Sequence, residues 1–143
     1  MVVLAAHGGA GATTLARALH LPATTRPVAN RALLVVAART TAPAAARVVE
    51  LVAALPADQP VVLALTADGP IPQPAAVRAM RRLLADRLSG TVLLPWQARW
   101  RHEPPSSASA DRAWTAQAVA LERLLHTLTA QPADPTDLRG APA

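Results

Sequence analysis

The chain has no cysteine, no lysine, no tyrosine and no phenylalanine. Without cysteine there is no disulfide framework, no thiolate metal site and no thiol nucleophile. Aromatic residues amount to 2% of the chain, all of them tryptophan (Trp96, Trp100 and Trp114). A core here must therefore be built from Ala, Val and Leu. No stretch approaches the ~20 apolar residues of a membrane span, and no basic segment precedes the apolar N-terminal run. The expectation is a soluble, cytoplasmic protein. His7, His20, His102 and His126 share no metal-ligand spacing with one another or with carboxylates, so no zinc site is expected.

Acid is scarce as well. Nine Asp and Glu stand against 14 basic residues, every one an Arg, for a formal net charge of +5. The balance favours an acidic partner such as nucleic acid, a nucleotide or an acidic protein. The plainer reading is arginine-rich solvated helix faces in a GC-rich coding background, which the abundant Ala and Pro also suggest. The 143 residues suit one domain, taken as 2–130, with a Pro- and Ala-rich tail at 131–143 expected to be disordered.

What the chain does have is a glycine cluster placed between two apolar patterns. Val2-Val3-Leu4-Ala5 leads into His7-Gly8-Gly9-Ala10-Gly11-Ala12-Thr13-Thr14, and a helical pattern follows to Leu19. That order is strand, phosphate-cradling loop and helix start. Glycines admit positive φ and leave no Cβ in the way of a ligand. Thr13 and Thr14 stand where a P-loop sets its hydroxyls for Mg²⁺ and phosphate, so Thr13 is the expected metal contact. Ala12 stands where GxxxxGK[ST] has lysine.

The loop resembles the deviant Walker A motif of the ParA/MinD superfamily, usually KGGxGKTT, with His7 in place of the first lysine and Ala12 in place of the second. More narrowly, Gly-Ala-Thr-Thr-Leu-Ala from Gly11 on is similar to the CpaE/TadZ branch, in which the P-loop lysine is often replaced. The chain also resembles small actinobacterial P-loop-like proteins of unknown function, often encoded near conjugative elements. Leu94-Pro95-Trp96, Trp100-Arg101 and Glu103-Pro104-Pro105 look like their C-terminal signature. The likeness covers residues 2 to 105. It implies a P-loop NTPase-like fold, ATP or ADP with Mg²⁺ as ligand or no ligand at all, a protein partner, and a nucleotide-linked homodimer in which His7 faces the partner subunit's nucleotide.

Past the loop, Pro22 stops the first helix and 23–31 forms a polar connection. The runs Ala32–Ala38 and Val61–Leu65 are continuous and apolar, as in a parallel sheet covered on both faces. Between them Thr40 or Thr41 caps a helix with Pro43 in its first turn and Val48, Leu51, Val52 and Leu55 on one stripe. A third helix is expected over Pro74–Leu88, a fourth strand over Thr91–Leu94, a linker over Glu103–Ala108, and a last helix over Asp111–Thr129. The fold class is α/β: a three-layer αβα sandwich with a mostly parallel sheet of about four strands and right-handed crossovers. Its ligand end lies beyond the strand carboxyl ends, where His7–Thr14, Arg39–Thr41, Asp68 and Trp96 gather.

Each of these residues carries two readings. The glycine loop holds phosphate, or it is a strand-to-helix turn left from an ATPase. Hydrolysis lacks both the lysine and a Walker B acid, because the second apolar strand ends Ala37-Ala38-Arg39. Asp68 reads a base or ribose, or it forms the turn before Gly69-Pro70. Arg39 supports a rival NADP reading through a 2′-phosphate, against which Thr14 replaces the third Rossmann glycine. Trp96 and Trp100 with Arg99, Arg101 and His102 stack a base or anchor a partner, or Trp96 caps the sheet end while Trp100 packs against the final helix near Trp114. Arg78, Arg81 and Arg82 share a helix face that contacts DNA non-specifically, or that is simply solvated. The best-supported expectation is a non-catalytic or weakly nucleotide-binding ParA/MinD-like protein serving as a regulatory or scaffolding partner. A slow ATPase and a basic DNA-binding module are the alternatives.

Overall fold

In the computed structural model the apolar runs pair as strands, and the described residues are 1–27, 32–105 and 110–130. The expected tail and part of the expected linker lie outside them. In chain order the elements are β1 (Val2–Ala5), α1 (Ala12–Ala18), β2 (Ala23–Thr24), β3 (Leu34–Arg39) and α2 (Ala42–Ala54), followed by β4 (Val61–Thr66), α3 (Ala75–Leu83), β5 (Gly90–Leu94) and α4 (Arg112–Ala130). Short 3₁₀ turns at Ala85–Arg87 and Ala98–Arg101 flank β5. The five strands are all parallel, in the order β2-β1-β3-β4-β5.

The fifth strand beyond the expected four is β2. It has two residues and no apolar run; the exposed edge of β1 creates it, through Val3 N–H donating to the Pro22 carbonyl and Val3 facing Ala23. The third helix also ends sooner than its pattern suggests, at Leu83. There the Arg87 guanidinium reaches back to the carbonyls of Gln59 and Pro56, drawing the chain into a 3₁₀ turn. α2 starts as its sequence says, with the Thr41 hydroxyl accepting the Ala44 N–H at 3.2 Å.

Side chains alternate between two cores. Leu4, Leu34, Val36, Leu63 and Leu65 face Val48, Val52, Val77 and Met80 of α2 and α3. Val3, Val35, Ala37, Val62 and Ala64 face Leu15 of α1 and Trp114, Leu121 and Leu125 of α4. Both faces of the central strands are thus buried, which is why β3 and β4 are unbroken apolar runs. The result is a three-layer αβα sandwich.

Strand order decides where such a sheet can take a ligand. From β1 the chain steps outward to β2, then reverses to β3, β4 and β5 on the other side. β1 and β3 therefore flank the topological switch point, and the crevice beyond their carboxyl ends is where open α/β sheets place ligands.

Candidate functional site

The glycine loop leaves β1 at that switch point. Ala6 N–H still donates to Ala37 of β3 at 3.0 Å, and Ala10 N–H then closes a turn on His7 at 3.3 Å. Two residues need the left-handed region: Gly9 at φ 74° and Gly11 at φ 81°. Gly11 is the N-cap of α1 and supplies no side chain to cap it. The N–H groups of Gly8, Gly9, Gly11, Ala12 and Thr13 make no hydrogen bond among the described residues. Five donors from six consecutive residues thus need an outside acceptor, either water or a ligand.

A cavity of about 620 Å³ opens over the loop, lined by residues from Ala5 to Thr13 together with Thr25, Arg39 and Pro105. A Cβ on Gly8 or Gly9 would meet no atom within 4 Å, so both backbones front open space. No carboxylate lines this cavity among the described residues.

Arg39 organises the site from the end of β3. Its Nε donates to the Gly9 carbonyl at 3.0 Å and its Nη1 to the Asp68 carboxylate at 2.8 Å. Its backbone N–H donates to His7 Nε2 at 3.1 Å, while His7 Nδ1 lies 2.8 Å from the Gly8 carbonyl. Only a proton on Nδ1 satisfies both His7 contacts, so the partners fix the tautomer. Both ring nitrogens are engaged by backbone, and His7 acts here as a brace between β3 and the loop.

Asp68 is held in place rather than free. Its N–H donates to the Thr40 hydroxyl at 3.0 Å, and its carboxylate faces Arg39. It lines a second cavity of about 170 Å³ beyond Arg39, with Trp96, Gln97, Trp100 and Arg101. The Arg101 guanidinium sits 5.2 Å from the Trp96 ring centroid, a cation–π distance. Trp100 meets Trp114 edge-on, with centroids 5.2 Å apart at 71°. Thr14, Trp100 and Trp114 border a smaller void of about 90 Å³ under the loop, which Arg39 also touches. Arg39 therefore contacts all three spaces at the carboxyl end of the sheet.

The structure brings His7 to Thr14, Asp68, Trp96, Trp100 and Arg101 to one end of the sheet, as the strand pattern implies. Thr13 is exposed on the loop cavity and Thr14 points under it. Arg78, Arg81 and Arg82 belong elsewhere, in a groove beside β5. Arg87 does not join them, because it is turned onto the Gln59 and Pro56 carbonyls. Arg39 was expected at this end as a reader of a 2′-phosphate; its tie to the Gly9 carbonyl and to Asp68 is the part that the sequence hid.

Among the described residues no three His, Cys, Asp or Glu side chains converge on a metal position, and no helix is long and apolar enough to cross a membrane. No protein-family model matches the chain, and no curated protein or solved structure matches it either.

Proposed function

We propose that this chain is a degenerate P-loop protein akin to the ParA/MinD superfamily, which holds the phosphates of a nucleotide at its glycine loop without hydrolysing it. Its role is that of a regulatory or scaffolding partner for another protein. The observation that carries the reading is the row of five unbonded loop N–H groups at the β1–β3 switch point. Such a row is chemistry for an anion. Arg39 adds the cation that Ala12 cannot, since its guanidinium borders the same cavity while tied to Gly9.

The same residues argue against turnover. Phosphoryl transfer needs charge neutralisation at the transferring group and an acid to hold the metal. Among the described residues the loop cavity has the Thr13 hydroxyl but no carboxylate, and Asp68 is committed to Arg39 outside it. That donor set does not fit a protein-held magnesium ion, so loop amides and Arg39 hold the ligand instead.

Thermal melts with ATP, ADP and inorganic triphosphate, beside a phosphate-release assay, test this reading. Stabilisation by all three with no phosphate released is the expected result. Release that depends on Thr13 would replace it with the slow-ATPase reading.

A further inference from the structure

β5 closes one side of the sheet, so among the described residues its outer edge has no strand partner. Its sequence, Gly-Thr-Val-Leu-Leu, contains no charge and no proline, and Leu93 is exposed. Proteins ordinarily blunt such an edge with charge, proline, a bulge or brevity, because a bare edge recruits another strand. The opposite edge is blunted by brevity, since β2 has two residues. β5 is bare along five.

Helix α4 covers one face of β5. A Cβ on Gly90 would run into Leu124 of α4, and Val92 and Leu94 pack into the same core. By alternation Thr91 and Leu93 face the other way. Thr91 there lines a groove of about 510 Å³ with Arg78, Arg81, Arg82, Ala85 and Leu88. Arg78, Arg81 and Arg82 share one face of α3 by their three- and four-residue spacings. α3 carries no acidic residue, and none of the three arginines is in an ion pair among the described residues.

We infer that this edge receives an extended acidic segment of a partner protein, which adds a strand beside β5 and sets its carboxylates against Arg78, Arg81 and Arg82. Backbone pairing supplies the hold, and alternate acidic side chains supply the selection. A second copy of this chain is a poorer occupant, because edge-to-edge pairing sets two arginine stripes on one joined sheet. Duplex nucleic acid would use the arginines through phosphate contacts and leave the bare edge unused. The site is separate from the glycine loop and stands whether or not a nucleotide binds there.

The probe is a fluorescent peptide of about eight residues alternating Glu with Val, long enough to span a strand of this length. Beside it go two versions N-methylated on one or the other set of alternate amides, a Lys–Val peptide and a short DNA duplex. By anisotropy the Glu–Val peptide binds with a Kd of roughly 10–100 µM, and Arg81→Glu or Arg78→Glu weakens it about tenfold or more. One N-methylated version binds like the parent and the other fails, because only one set of amides faces β5. Equal behaviour of the two methylated versions overturns strand addition. So does tighter binding of the duplex or of the Lys–Val peptide, indifference to both charge reversals, or no binding at about 1 mM peptide. Self-association by sedimentation that Leu93→Lys abolishes would make the edge a copy interface and overturn the proposal.

Discussion

Replacing Arg39 by alanine separates its structural part from its proposed ligand part. The structural loss can be worked from its contacts. The pair with Asp68 is 2.8 Å long, but the two side chains are 41% and 47% exposed, so solvent screening limits it to about 0.2–1 kcal/mol. The bond to the Gly9 carbonyl is similarly exposed and contributes about 0.5–1 kcal/mol. The backbone N–H to His7 survives the substitution. The sum is about 0.7–2 kcal/mol, a fall of roughly 2–8 °C in Tm for a chain of this length.

The ligand part is larger. A guanidinium donating to phosphate is worth about 1.5–3 kcal/mol, hence roughly 10- to 100-fold in Kd. Arg39→Lys keeps the charge but loses the fork that grips Gly9 and Asp68 together, so its affinity falls between the two. Melts by circular dichroism and equilibrium dialysis with labelled ATP give both numbers on the same samples. If Arg39→Ala costs a few degrees and leaves nucleotide affinity unchanged, the arginine only braces the loop and the proposed role is wrong. A fall far beyond that range would show the exposed contacts to be underestimated.

Other substitutions probe the loop, the core and the last helix. Gly11→Ala puts a Cβ at φ 81°, where space is adequate but the backbone is strained, and lowers stability by about 1–2 kcal/mol in urea melts. Gly8→Ala has neither a positive φ nor a neighbour within 4 Å and stays within about 0.5 kcal/mol of the parent by the same measurement. Leu121→Ala empties a fully buried position between α4 and the sheet and costs about 2–5 kcal/mol. Asp111 accepts the Trp114 N–H at 2.8 Å; that bond, with help from the Gln97 side chain, holds its carboxyl below the usual carboxylate range. A depressed folded value means that its contribution is complete above the unfolded value near 4 and drains as pH falls through the folded one. Asp111→Asn keeps an N-cap and flattens the fall of Tm below about pH 4, read from melts at stepped pH.

The sheet was legible wherever burial on both faces forced unbroken apolar runs, as in Leu34–Ala38 and Val61–Leu65. The caps were legible where a single residue type does the work, as at Thr41 and Pro43. β2 was hidden because Ala23 and Thr24 owe their strand conformation to the edge of β1 rather than to their own pattern. The end of α3 was hidden for a related reason: Arg87 bonds carbonyls near the start of β4, a contact no local spacing announces. At the site, the glycines announced the loop. The tie from Arg39 to Gly9 and Asp68 spans about thirty residues of chain and depends on the parallel register of β1, β3 and β4, so it became visible only with the fold.

The most direct test of the central claim is calorimetric titration of the chain with ATP and ADP, with and without Mg²⁺, beside Gly8→Asp. That variant sets a carboxylate in the loop cavity without a strained backbone, because Gly8 lacks a positive φ and its Cβ would meet no neighbouring atom. Binding with a Kd of roughly 10–500 µM for both nucleotides, little change on adding Mg²⁺, and loss in Gly8→Asp are the expected results. No heat and no thermal stabilisation at about millimolar nucleotide would contradict it. The glycine loop would then be a turn with solvent-filled donors.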